Sequence, residues 1–330
     1  MLKKSYININ SILKKVKEKN YSFVFRKVSR IYPFKITPFI LKQIKNFSFE
    51  DPIFKMYFPH IDELKSFKQK TVDPYQEKVY GKVFKGKIPI LVHKYPNRAL
   101  IVTTNMCPAF CRFCMRKKNW GKSFLIDNKD LEKILDYLKK HKEIEEVLIS
   151  GGEPILLSKN ILFSLLENLE KIKHIKIIRF ASKSVINAPN FFSDDLIDKF
   201  KAFEKLIFVI HINHINELIE ENINLLKKLS KNFKVYSQTV LLKGINDSYK
   251  ELSKLFKTLR DLKIKPYYLF DCDPVKSVYH FKVENKKRDK ILLKLYSTLS
   301  PLALPFFALD GKAKALYLPK KYISYKTLNN

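Results

Sequence analysis

Residues 99–120, ALIVTTNMCPAFCRFCMRKKNW, decide the reading of this chain. An apolar run, ALIVTT (99–104), passes into a loop holding three of the four cysteines: Cys107, Cys111 and Cys114. Their spacing is C-x3-C-x2-C. Three thiolates so close together can hold three irons of a cubane [4Fe-4S] cluster. The fourth iron is then open to a small molecule. Zinc usually takes two C-x2-C pairs or added histidines, and no such partner lies nearby in sequence. A disulfide needs an oxidising compartment and tends to come with an even cysteine framework. The open cluster is therefore preferred, with zinc and purely structural thiols as the alternatives.

Outward from this stretch the pattern repeats. After ALIVTT come EVLIS (146–150), IKIIRFA (175–181), LIFVIHI (206–212), VYSQTVLL (235–242) and PYYLF (266–270). Amphipathic segments separate them. In LEKILDYLKKHKE (131–143), Leu131, Ile134, Leu135 and Leu138 share one helical face. Six strand–helix alternations imply a parallel sheet with right-handed crossovers. The expected class is α/β, a partial (β/α)6 TIM-like barrel, open rather than closed at eight units. Chemistry in such barrels collects at the C-terminal strand ends. The cysteines follow the first run, and Gly151-Gly152-Glu153-Pro154 follows the second. The chain has only 7 glycines, so a pair at a strand end is notable. Glycine lets backbone approach a ligand closely.

The front of the chain reads differently. Residues 1–50 suggest basic amphipathic helices, with Ile9, Ile12, Leu13 and Val16 at helical spacing. FKITPFILKQI (34–44) starts a helix behind a Thr-Pro signal, and DPIFKMYFP (51–59) is a further short element. Residues 60–95 look irregular, punctuated by Pro74 and Pro89, with Pro96 just beyond. Three regions follow: an N-terminal helical extension (1–92), a core barrel (93–285) and a C-terminal helix with a short terminal segment (286–330).

Composition narrows the setting. The chain has 330 residues, 46% of them hydrophobic, enough for a large core. No apolar run approaches the ~20 residues of a membrane helix. The lysine-broken start lacks a signal-peptide core. A reduced cytoplasmic location is expected, without a membrane partner. The net charge is +32, yet only 8 of the 64 basic residues are arginine. Phosphate and base readers usually recruit arginine as well. The lysines are spread along the chain, which reads as solvated faces rather than a nucleic-acid site.

The cysteine spacing, with Phe113 before the last thiol, resembles the radical S-adenosylmethionine (SAM) superfamily. SGGEP (150–154) is similar to its glycine-rich SAM-binding segment, with Glu153 at the acidic position. The resemblance narrows to the lysine 2,3-aminomutases over roughly residues 35–325. It rests on HKYPNRALIVTTNMC (93–107), CRFCMRK (111–117), LISGGEP (148–154), HINHINE (211–217), SQTVLLKGIND (237–247), PYYLFDCD (266–273) and HF (280–281).

That resemblance implies three cofactors: the [4Fe-4S] cluster, SAM and pyridoxal 5′-phosphate (PLP). It implies that Cys107, Cys111 and Cys114 hold the cluster, and that Gly151, Gly152 and Glu153 bind SAM. It places His211 and Asn213 on the SAM side, and Lys183 where the family usually has arginine. Arg98 and Gln238 match positions near the PLP phosphate and ring. Within ALDGKAKALYLP (308–319), Lys314 matches the PLP lysine, with Lys312 as the alternative. Arg116 matches the arginine for the substrate carboxylate, and Asp273 and Asp310 match the acids for its distal ammonium. Asp271 competes for the same task, while Cys272 reads as a buried thiol. Two acids favour lysine over glutamate. An adenosyl radical would remove a β-hydrogen, and the amino group would migrate to the β-carbon.

The resemblance also implies an electron donor such as flavodoxin or ferredoxin, and it allows a homo-oligomer. One branch of the family supplies β-lysine to elongation factor P, and the short end after Tyr325 suits that branch's length. Two rival readings stand beside it. One is a radical SAM enzyme modifying RNA or protein without PLP, and the other is a decayed, non-catalytic homologue.

Overall fold

Apolar runs separated by one-sided helices can bury both sheet faces only when the helices pack outside a parallel sheet. The computed structural model describes residues 8–65, 76–120, 123–309 and 315–319, and it has this arrangement. Ten strands among those residues form one sheet in chain order. They are β1 (Gly81–Lys85), β2 (Ile88–Tyr95), β3 (Arg98–Val102), β4 (Glu146–Ser150), β5 (Ile177–Ser182), β6 (Leu206–His211), β7 (Val235–Val240), β8 (Lys265–Phe270), β9 (Phe306–Leu309) and β10 (Ala315–Leu316). From β3 to β9 every neighbouring pair is parallel.

Among the described residues four short helices precede the sheet: α1 (Ile9–Leu13), α2 (Tyr21–Ser29), α3 (Pro38–Gln43) and α4 (Pro52–Tyr57). Seven lie beyond β3: α5 (Asn128–Lys140), α6 (Lys159–Lys171), α7 (Ser184–Asn187), α8 (Asp194–Phe200), α9 (Glu220–Asn232), α10 (Tyr249–Asp261) and α11 (Asn285–Thr298). Side-chain caps start several of them. Asp127 and Asp130 form a reciprocal box at α5, while Ser158, Ser193 and Ser248 cap α6, α8 and α10.

The six expected strands are β3 to β8, each followed by a helix. A seventh parallel strand, β9, completes the open barrel behind α11. The irregular reading of 60–95 is corrected for 81–95, while 66–75 lie outside the described residues. Residues 81–95 form an antiparallel hairpin, β1–β2, that extends the sheet beside β3. Pro89 misled that reading, but it sits second in β2 with its carbonyl still available. At the front, α1 ends at Leu13, so Val16 lies beyond the helix it was expected to join.

Two apolar cores result. The larger lies between the sheet and α5–α11. The second joins Ile12, Ile40, Phe54 and Phe58 of the extension to Ala109 and Phe113 of the cysteine loop. Val275, Val278 and Phe281, after β8, belong to it too. A buried ionic group sits beside this core. The side chains of Glu63, Arg112 and Lys117 are all 0% exposed. Glu63 accepts from Arg112 Nε at 3.0 Å and lies 2.5 Å from Lys117 Nζ. Burial would raise the Glu63 carboxyl, but Lys117 and Arg112 outweigh it and hold the carboxyl below its ordinary value. The spare Lys117 hydrogens go to the Arg112 and Ser277 carbonyls at 2.8 and 3.2 Å.

Removing one member of such a group leaves buried charge uncompensated, at a cost of roughly 3–5 kcal/mol. Glu63→Gln is therefore expected to lower the denaturant midpoint by a corresponding amount. Equilibrium unfolding of the variant beside the wild type checks it.

Candidate active site around the three cysteines

The loop after β3 is fastened from two sides. On the barrel side it meets the end of β4 along backbone. Thr103 N donates to Ser150 O at 2.9 Å, Gly152 N to Thr104 O at 2.5 Å, and Glu153 N to Met106 O at 2.8 Å. Glycine is required by this closeness. A Cβ on Gly152 would sit 2.2 Å from Met106 O, and one on Gly151 would sit 2.5 Å from Thr104 O. Gly151 also has φ +121°, which disfavours a side chain. The Gly152 amide is thus bonded to the cysteine loop, and Gly151 and Gly152 both line the cavity beside it. On the other side, Phe110 N donates to Lys35 O at 2.9 Å and Arg112 N to Met56 O at 2.8 Å.

Between the loop and the strand ends lies a cavity of about 360 Å³. Cys107, Cys111 and Cys114 line it, and all three are free thiols. Burial raises each thiol, Cys111 to about 12. Neutral thiols suit this site until a cation compensates their deprotonation. Phe113 is buried among them, its ring 5.6 Å from that of His211.

The rim opposite the cysteines comes from β4, β5 and β6. Glu153 is buried, and Lys183 N and Ser184 N donate to its Oε2 at 3.0 and 2.9 Å. Its Oε1 is buried with no hydrogen-bond partner among the described residues. Burial raises this carboxyl to about 7. Lys183 Nζ donates to Glu217 Oε1 at 2.7 Å and to His211 O at 3.2 Å. Burial, then the Lys183 charge, lowers His211 to about 3, so its ring is neutral. Asn213 does not line the cavity. It accepts from Val240 N at 2.9 Å and lies 3.1 Å from His211 Nε2, holding that ring in place. His214 caps the turn that follows and pairs with Glu251 at 3.1 Å.

Deeper between the strands the lining becomes cationic. Arg98 stacks on Tyr95, 4.3 Å from the ring centre. Arg179 pairs with Glu146, while its Nε is buried without a hydrogen-bond partner among the described residues. Lys94, Gln238 and Tyr268 complete this floor. Lys94 and Arg179 escaped the sequence reading, although a signal existed. Arg179 interrupts an apolar strand in a chain that uses lysine nearly everywhere else.

Arg116 and Asp273 line the same cavity. Asp271 does not, because Lys282 and Arg288 hold its carboxylate elsewhere. β8 ends at Phe270, so strand alternation no longer governs these acids. Cys272 is buried, as expected. Asp310, Lys312 and Lys314 lie outside the described residues. Glu77, unnoticed in the sequence, enters the cavity and pairs with Arg116.

No three His, Cys, Asp or Glu side chains among the described residues gather as ligands of one ion would. A cubane spreads its thiolates over separate irons, so the three lining cysteines fit it better than a mononuclear site. The unpartnered Glu153 oxygen fits the ammonium of SAM, and the cationic floor fits a phosphate.

Comparison with known proteins agrees with this chemistry. Residues 101–256 match the model of the Radical SAM superfamily. The chain is 38% identical over 300 residues to an Aquifex aeolicus protein named "Putative L-lysine 2,3-aminomutase", covering 89% of this chain and 80% of that one. It is 32% identical to L-lysine 2,3-aminomutase of Methanococcus maripaludis, covering 91% and 70%. Glutamate 2,3-aminomutase of Clostridioides difficile is 28% identical, covering 94% and 73%. The fold is similar to that of Streptococcus suis SuiB bound to S-adenosylmethionine. That match has a TM-score of 0.51 and 19% identity, and covers 66% of this chain and 51% of SuiB.

Gly152→Ala is expected to force the cysteine loop off the β4 end, at a cost of about 1–3 kcal/mol. Iron retained per chain after anaerobic reconstitution should fall, along with the thermal midpoint. Wild-type iron content in the variant would contradict the backbone fastening.

Proposed function

The chain belongs to the lysine 2,3-aminomutase family of radical SAM isomerases, and from that premise we propose that it converts L-lysine to β-lysine, with PLP beside its cluster and SAM. One observation carries the reading. A single cavity unites three cysteines, a buried acid with an unpartnered oxygen, a cationic floor, Arg116 and Asp273.

When bound, the cluster and SAM supply a hydrogen-abstracting radical, and PLP supplies a ring that spreads the unpaired electron of the migrating group. The chain's own residues do the rest. Cys107, Cys111 and Cys114 hold the cluster. Glu153 Oε1 accepts from the SAM ammonium, while the Lys183 and Ser184 amides keep the carboxylate aimed. His211, neutral and fixed by Asn213, borders SAM. Arg98, Arg179 and Lys94 hold the PLP phosphate, and Gln238 and Tyr268 border the ring. Lys314 carries the PLP, with Lys312 the alternative.

Arg116 receives the substrate carboxylate and Asp273 its distal ammonium, aided by Asp310. A carboxylate at the distal end favours a cation, and so lysine over glutamate. A flavodoxin- or ferredoxin-type protein supplies the electron, and the product serves elongation factor P or free β-lysine metabolism. No helix among the described residues is long and apolar enough to cross a membrane.

Anaerobic reconstitution with iron, sulfide and PLP, then lysine, SAM and reductant, tests the reading. Expected results are a visible band from lysine-bound PLP, lost in Lys314→Ala and kept in Lys312→Ala, and chromatographically resolved β-lysine. SAM cleavage without PLP uptake or lysine consumption would instead support an enzyme acting on RNA or protein. Failure to cleave SAM would mark a decayed homologue. Asp273→Asn is expected to raise KM for lysine about 10-fold or more, the worth of a charged hydrogen bond. An unchanged KM would remove Asp273 from the substrate site.

A further inference from the structure

The contact between Arg116 and Glu77 has a meaning that the family resemblance does not supply. Arg116 is placed by the cysteine loop, two residues after Cys114, and Asn119 N donates to its carbonyl at 2.8 Å. Glu77 comes from a different element, the turn that leads into β1. Val79 N and Tyr80 N donate to Gln76 O at 2.9 and 3.1 Å, and Tyr80 O accepts from His93 N of β2 at 3.0 Å. The two side chains meet inside the cavity, Arg116 21% and Glu77 13% exposed. Glu77 Oε1 pairs with Nη2, and Oε2 lies 3.4 Å from Nε. Both carboxylate oxygens thus face one edge of the guanidinium fork.

That fork offers a planar, two-point fit to a carboxylate. An amino-acid substrate presents the same group to the same nitrogens. Two carboxylates on one edge would repel each other and share too few donors. In so largely buried a place a guanidinium is costly without a counter-ion, and Glu77 supplies one.

We propose that Glu77 is the internal competitor for the substrate carboxylate on Arg116. It is a specificity-determining residue that exchanges one carboxylate for another when an amino acid enters. Ligands without a carboxylate leave the Glu77–Arg116 pair intact. An amino acid whose carboxylate takes this edge of the fork breaks it, and binds less tightly by the free energy of that pair. The inference rests on the reading of Arg116 as the carboxylate site.

The test uses the holoenzyme loaded with cluster, SAM and PLP, without reductant so that no turnover occurs. L-Lysine and cadaverine, its decarboxylated analogue, are titrated calorimetrically into wild type and Glu77→Gln. The inference expects lysine to bind several-fold more tightly to the variant, with cadaverine unchanged. Equal or weaker lysine binding by the variant overturns it, since Glu77 would then merely position Arg116. Equal tightening of both ligands overturns it too, since the effect would not depend on the carboxylate. If neither protein binds lysine, the lysine reading fails instead, and the same titrations with L-glutamate decide the Glu77 inference.

Discussion

The site depends on a backbone seam between the cysteine loop and the end of β4. A loop with three closely spaced thiols has no regular structure to hold it. Here its carbonyls accept from the Gly152 and Glu153 amides, and only missing side chains allow that approach. The same turn then carries Glu153 into the cavity. One sequence feature therefore fixes the cysteine loop and aims the acid beside it. Hydrogen bonds of this kind bring modest net stability, but leaving such groups buried and unmade is costly.

The opposite side of the loop is governed by different physics. The N-terminal helices make no contribution to the parallel sheet. They bury aromatic and aliphatic side chains against the loop, and the Glu63, Arg112 and Lys117 group sits at the join. Apolar packing is non-directional, whereas three interlocked charges accept few alternative geometries. Their combination restricts the loop position more than either would alone.

Much of this was legible in the chain. Period and spacing exposed the six β/α units, because each strand is a short, mainly apolar run and the helices between them carry one apolar face. The cysteines and the glycine pair were legible because both types are rare here. What stayed hidden were contacts between distant segments. The β1–β2 hairpin lacks clean alternation and contains Pro89, so it read as irregular. Glu63, Glu77 and Arg179 are ordinary charges until the fold buries them. Asp271 and Asp273 are equivalent in sequence, and the fold separates them by pairing Asp271 with Lys282 and Arg288 while Asp273 lines the cavity. The glycine pair was legible as a place of close backbone approach; the cysteine loop makes that approach, and both glycines also line the cavity.

The second core has a consequence for biogenesis. It spans residues from Ile12 to Phe281, so its halves are separated by most of the chain. Neighbouring strands can pair as each unit leaves the ribosome, because sheet order follows chain order. The clamp on the thiol loop cannot close until the region after β8 has emerged. Long-range closure of this kind comes late in folding. A nascent barrel stopped before β8 would present its three thiols without the part of their apolar shelter that Val275, Val278 and Phe281 provide.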